Sequence, residues 1–301
     1  MSSQLTRRSF LVTLALGAGT GSALGAVART PAFRIMAAEM TDESICLQKF
    51  KLASSQSLAG KPMGNVMVAV GRSFLGTPYL AHALEAPGEE RLIVNMRGLD
   101  CVTFCETTLA LSRCINLGKT TFADYQQQLR LIRYRSGVIE GYPSRLHYFS
   151  DWIDDNEKKN VVRNVTREIG GSPFVKKLDF MSSHPSSYRQ LAVAKILQAI
   201  KATEEEINGR SHSYLPKDAV ASRQAAIKEG DIIGITTSIE GLDIIHTGMA
   251  IRVDGTLKYL HAPLSGGEVQ ITKLALPEYL ASHKNQTGIM VARPLEPPSV
   301  K

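Results

Sequence analysis

The feature that most constrains this chain is Leu99-Asp100-Cys101, which runs straight into a long apolar stretch. Val102, Phe104, Cys105, Leu109, Leu111 and Ile115 recur there at helical spacing. Asp100 is a favoured N-cap type, so the sequence predicts a helix ending near Gly118 with Cys101 in its first turn. Unpaired N–H groups and the positive end of the helix dipole favour a thiolate at that place, and the thiolate is the nucleophilic form of cysteine. Cysteine in an apolar run is equally a small buried hydrophobe. This stretch alone leaves both readings open.

The N-terminus bears on where such chemistry would occur. Thr6-Arg7-Arg8-Ser9-Phe10-Leu11 is a twin-arginine pattern, an apolar run to Leu16 follows, and Ala26-Val27-Ala28 has the form of a cleavage site. The expectation is a signal peptide over residues 1–28 and export of a folded chain to the periplasm or beyond. The apolar run is too short to stay as a membrane span, and no lipobox cysteine stands beside it, so membrane contact is expected only during export. Residues 29–301 fit one domain, and the 44% apolar content is ample for its core. The net charge of +7 includes Arg7 and Arg8, and the other basic residues are scattered. This argues against a nucleic-acid binder and is compatible with an anionic polymer as substrate. A single Trp gives no platform of stacked aromatics for a carbohydrate.

Helical patterns dominate the first two thirds. Helices are predicted from Thr41 to about Ser57, from Asn65 to Leu75, from Phe122 to Ile132 and from Ser186 to Ile207, with a short strand at Leu92-Ile93-Val94. Residues 120–210 read as a helical insert. The last quarter changes period. Strands are predicted at 230–237, 243–253, 257–262, 268–271 and 288–292, with a short helix at 277–282 and a hairpin turn at Asp254-Gly255. Helices first and an antiparallel sheet last make an α+β chain.

The four cysteines do not read as a disulfide framework. Cys101 and Cys105 share one side of a helix, which holds them too rigidly for easy bridging. Cys46 is left with the choice of pairing or not. No CxxC and no neighbouring His give ligand spacing for zinc. The Asp254-Gly255 turn places Arg252 near Thr256 or Leu257, and so brings His246 into the neighbourhood of His261 or Ala262 on one face of the sheet. A helix N-terminal cysteine packed on that face would complete a nucleophile, a base and an orienting group. Each His alone is also an ordinary strand residue. Asp231 reads as a turn or strand-start residue.

Gly76-Thr77-Pro78-Tyr79, Leu99-Asp100-Cys101-Val102-Thr103-Phe104, Glu229-Gly230-Asp231, His246-Thr247-Gly248-Met249-Ala250 and His261-Ala262 occur in one order. This series resembles the NlpC-type papain-like cysteine peptidases of bacterial cell walls. The resemblance covers both ends of the chain after the signal and skips the middle. It implies a papain-like core with Cys101 as nucleophile, His246 as general base, His261 as its orienting partner and Tyr79 lining the site near the oxyanion. Val102 and Thr103 depart from the family's small residues, and the separation of Cys101 from His246 is unusually long.

The Leu99–Phe104 wording, Arg145-Leu146-His147-Tyr148 with Trp152, and Gly241-Leu242-Asp243 resemble the branch associated with N-acetylmuramoyl-L-alanine amidase activity. The implied substrate is a muropeptide, cut between the lactyl group of muramic acid and L-alanine, with no metal or organic cofactor and a monomeric enzyme. Asp100, Arg145, Tyr148 and Trp152 are then candidate substrate-binding residues. A guanidinium suits a stem-peptide carboxylate and aromatic rings suit a sugar face. The last three equally suit a buried polar network. A γ-D-glutamyl-diamino acid endopeptidase of the same fold and a non-catalytic peptidoglycan-binding module are the competing functions.

Overall fold

A computed structural model of the chain describes residues 40–298. The expected signal peptide lies outside the described residues. None of the described helices is long and apolar enough to cross a membrane.

In chain order the elements are α1 (Asp42–Ser55), α2 (Met63–Arg72), α3 (Cys101–Leu117), α4 (Phe122–Arg133), α5 (Phe149–Lys158), β1 (Val162–Asn164) and β2 (Ser172–Pro173). Then come α6 (Phe180–Ser183), α7 (Ala194–Asn208), β3 (Ser213–Pro216), α8 (Val220–Arg223), β4 (Ile232–Thr237), β5 (Ile244–Val253), β6 (Thr256–His261), β7 (Gln270–Ile271), α9 (Leu276–Ala281) and β8 (Gln286–Pro294). The strands form one antiparallel sheet in the order β2-β3-β8-β4-β5-β6-β7, and β1 pairs with β8. This is the α+β layout, with the helices mostly first and the sheet mostly last.

Side-chain alternation divides the sheet into two buried faces. Ile232, Met249 and Leu260 join the core under α2, α3, α4 and α5, with Val66, Phe104, Leu109 and Ile132. Their neighbours Ile233, Ala250 and Tyr259 face the opposite core, with Leu276, Leu280, Ile289 and Val291. Helix α3 is buried almost all round, as a helix at the centre of a domain must be. A third cluster, with Tyr148, Leu178, Phe180, Leu191 and Ile207, packs α6 and α7 over the entrance to α5. Asp231 ties β8 to the start of β4, accepting two hydrogen bonds of 2.8 Å from the Arg293 guanidinium. That is the structural role its turn position predicts.

Three expectations are corrected. Residues 92–94 form no strand, because side chains from the end of α4 take the carbonyls nearby. Arg133 Nη1 donates to the Ile93 carbonyl at 2.6 Å, and Tyr134 OH donates to that of Arg91 at 2.9 Å. The helix expected from Ser186 begins only at Ala194. Before it the chain makes short 3-10 turns that bury Tyr188 and Leu191 in the third cluster. The segment 120–210 is not helical throughout, since it also supplies β1 and β2 to the sheet.

Candidate active site

Cys101 is the first residue of α3. Asp100 caps the helix, accepting from the N–H groups of Val102 at 3.0 Å and Thr103 at 2.8 Å. Thr103 Oγ1 accepts in return from the Asp100 N–H at 2.9 Å, completing a capping box. The approach to the cap is held from outside. Tyr79 bridges to Leu99, and its N–H donates to the Gly267 carbonyl at 2.7 Å. Tyr79 is thus a strap on the backbone that leads into Cys101.

The four cysteines are free thiols, and their surroundings differ. Burial pushes the Cys46 and Cys114 thiols up to about 12. Burial also raises Cys105 well above the ordinary thiol value. These three are held protonated in the core. Cys105 anchors α3 to the sheet, with its Sγ 3.8 Å from Thr247 Oγ1. Cys101 lies one turn nearer the helix start, as His246 lies one residue before Thr247, and both line one cavity.

The strands bring the two histidines together. Opposite residues of β5 and β6 are Arg252 and Leu257, then Gly248 and His261. His246 is therefore diagonal to His261 rather than directly opposite, and its Nε2 lies 2.8 Å from His261 Nδ1. Gly248 makes room for this approach, since a Cβ there would sit 2.8 Å from that of His261. A bulge at Ile245, where β4 pairs Ile235 with His246 and Thr236 with Ile244, turns β5 just before His246. Tyr259 packs its ring 5.0 Å from that of His261 and donates its OH to the Ile233 carbonyl at 2.8 Å.

Burial sets the charge of the pair. Desolvation first, and the nearby His283 second, lower His246 to about 4, against the pull of Asp100. Desolvation and then His246 lower His261 well below the ordinary imidazole value. Both rings are neutral near pH 7, so one donates the shared hydrogen and the other accepts it. When His246 Nε2–H donates, its Nδ1 carries the lone pair and can act as a base.

The cavity beside Cys101 has a volume of about 80 Å³. Arg145, Tyr148 and Trp152 all line it, but two of them have their polar groups engaged by the protein. Arg145 donates to the Leu84 carbonyl at 2.9 Å and to Glu85 at 3.0 Å, and it pairs with Glu90 at 3.5 Å. Tyr148 OH donates to Glu204 at 2.6 Å and accepts from the Met181 N–H. Trp152 stacks on Phe149 at 5.6 Å. Asp100 spends one carboxylate oxygen on the cap. Among the cavity residues that escaped the sequence reading is a buried ion pair. Glu106 and Arg133 are each 2% exposed and meet at 2.7 Å in the cavity wall. The signal for Glu106 was its place one turn beyond Val102 on the helix that carries Cys101. Nothing local marked Arg133.

The fold is thus an α+β one in which a helix N-terminal cysteine shares a cavity wall with one of two hydrogen-bonded imidazoles. A family model described as AmiA-like, N-acetylmuramoyl-L-alanine amidase-like, matches residues 69–289, and the chain belongs to that family. The crystal structure of an N-acetylmuramoyl-L-alanine amidase from Bacteroides uniformis is 36% identical, with a TM-score of 0.74, over 77% of this chain and 99% of that one. A structure described as a putative xylanase from Bacteroides fragilis is 39% identical, with a TM-score of 0.71, over 74% of this chain and 98% of that one. A Legionella pneumophila protein shares the fold, with a TM-score of 0.64 at 20% identity over 90% of this chain and 99% of that one. No curated protein is significantly similar to the chain.

Proposed function

We propose that the protein is an exported cysteine amidase that cuts muropeptides between N-acetylmuramic acid and L-alanine. The observation that carries this reading is the His246–His261 hydrogen bond at the wall of the cavity that holds Cys101. Family membership supplies the substrate class. An NlpC-type papain-like core fits a nucleophile helix packed on an antiparallel sheet that carries both histidines. The twin-arginine pattern supports action in the periplasm or outside the cell on peptidoglycan fragments, by one catalytic domain. Residues 120–210 act in this reading as a specificity element, since Tyr142, Arg145, Tyr148 and Trp152 of that segment line the cavity.

The chemistry is acyl transfer in two steps. His246 takes the proton of the Cys101 thiol, and the thiolate attacks the lactyl carbonyl carbon. The backbone N–H of Cys101, with Tyr79, stabilises the oxyanion. The carbonyl re-forms, the bond to the L-alanine nitrogen breaks, and His246 returns its proton to that nitrogen. Water, losing a proton to His246, then splits the thioester into the lactyl carboxylate and the free thiol. His261 fixes the tautomer of His246, and the Asp100 charge favours the imidazolium that forms in each step. The steps draw on a thiol and two imidazoles and call on no cofactor.

Product masses test the bond. Defined N-acetylmuramoyl tetrapeptide incubated with the protein is expected to yield free tetrapeptide and intact sugar acid. Disaccharide dipeptide from a longer substrate would instead show a γ-D-glutamyl endopeptidase. Cleavage of xylan without cleavage of muropeptide would overturn the reading altogether.

A further inference from the structure

A column of rings leads from the candidate base to the surface. His261 packs against two tyrosines, with the Tyr259 ring at 5.0 Å and the Tyr279 ring at 5.6 Å, the latter nearly perpendicular at 84°. Tyr279 stands in α9, the short helix whose Leu276 and Leu280 are buried in the second core. His283 comes four residues after Tyr279, the spacing of neighbours on one helical face, and the two rings meet at 4.7 Å. His283 is exposed. Its Nδ1 lies 2.8 Å from the Tyr279 carbonyl and 3.0 Å from Ser282 Oγ. A carbonyl only accepts, so Nδ1 carries a hydrogen, and Nε2 is the atom that takes a second one when the ring becomes charged. The proposed chemistry uses neither Tyr279 nor His283.

Two groups of opposite charge act on the histidine pair. Asp100, at the cap of α3, favours the charged form of His246, and His283 opposes it. His283 opposes the charged form of His261 as well. Burial is the larger influence on both rings. It is fixed by the fold, whereas the charge of an exposed side chain depends only on which residue stands there and on the solvent. The other titratable groups about the pair are Tyr259 from β6, Tyr279 from α9, and Cys101 and Cys105 from α3, which act on those tyrosines. Burial keeps both phenols and the Cys105 thiol neutral. Glu278 and Lys284 stand beside His283 on the surface, with charges of opposite sign. The two ring contacts put His283 within roughly 10 Å of His261, where a unit charge moves a proton equilibrium by about 0.3–1 pH unit in a medium between protein and water.

We propose that His283 is a positioning residue of the candidate active site, whose charge at the outer end of the Tyr279–His261 column governs how readily His246 takes a proton. This rests on the reading of His246 as the base and deepens it. The test is a charge series at one exposed position, His283→Lys, His283→Gln and His283→Glu, with melting curves to report a folded protein. NMR of isotope-labelled histidine from pH 7 to pH 4.5 reads the His246 ring directly and needs no turnover. The protonated fraction of His246 is expected to rise in the order Lys, Gln, Glu, its titration moving up by about 0.3–1 pH unit at each step. Salt at 1 M, where the Debye length is about 3 Å, is expected to draw the three curves together. The acid limb of kcat/KM for N-acetylmuramoyl tetrapeptide is expected to move to higher pH in the same order. Coincident NMR curves at low salt, or an order that does not follow charge, would overturn the proposal, because a purely structural role responds to shape and not to sign. An acid limb that stays still while the NMR curves move would remove His246 as the base, and the proposal with it. An ordered NMR series in a protein that cuts no muropeptide sinks the amidase reading instead and upholds the link between His283 and the histidine pair.

Discussion

Cys101 and His246 are matched by their surroundings. The core holds Cys46, Cys105 and Cys114 as thiols, and Cys101 alone of the four stands at the start of a helix, in the wall of the cavity that Cys105 and His246 also line. The buried imidazoles leave a mark on stability. The folded protein keeps His246 neutral down to about 4, whereas in the unfolded chain the ring gains its proton below about 6.5. Between these values the unfolded state binds more protons, so stability falls as pH falls through that window and is fully kept above it. His261, lowered still more firmly, adds in the same direction. Urea midpoints measured from pH 7 to pH 4 are expected to drop, and His246→Gln is expected to flatten part of that slope. An unchanged slope in the variant would mean that His246 is not held neutral. At this scale much of the candidate site was legible. The Asp100 cap and the placement of Cys101 depend on residues three apart in sequence. Arg145 and Tyr148 were legible as types but not as partners, because Glu85, Glu90 and Glu204 reach them from distant parts of the chain.

Elements set the register that makes the histidine pair. The turn at Asp254 and Gly255 has φ of 50° and 76°, the left-handed values that a tight hairpin needs. It fixes the opposition of Arg252 to Leu257 and therefore the neighbourhood of His246 and His261. The hairpin was legible because two residues determine it. The diagonal contact was not, because it needs the bare backbone of Gly248 and the bulge at Ile245. Gly248→Ala would force a Cβ to 2.7 Å from the Leu260 carbonyl and 2.8 Å from the His261 Cβ. The expected result is a loss of about 1–3 kcal/mol in stability, the usual cost of overpacking, together with impaired turnover. Denaturant titration and steady-state rates check both, and a variant with wild-type rates would separate the glycine from the histidine pair. Other elements failed to follow local pattern for reasons outside it. The apolar run at 92–94 lost its strand to Arg133 and Tyr134, and the residues before Ala194 bent so that Tyr188 and Leu191 could be buried.

The whole molecule joins a sheet that carries His246 and His261 to a helix that begins at Cys101, and the segment 120–210 adds to the wall of the cavity between them. The order of helices before sheet was legible from the change of hydrophobic period. The packing of α4 beside α3, which creates the Glu106–Arg133 pair, was not, because no periodicity reports which helix faces which. The central claim is that this assembly serves acyl transfer through Cys101, and the acyl-enzyme tests it most directly. Protein mixed with N-acetylmuramoyl tetrapeptide, quenched in acid within the first turnovers and analysed as intact protein and as peptides, is expected to carry the lactyl sugar as a thioester on Cys101. Turnover of the same substrate by Cys101→Ala protein at the wild-type rate, with no adduct on the wild type, would contradict the account.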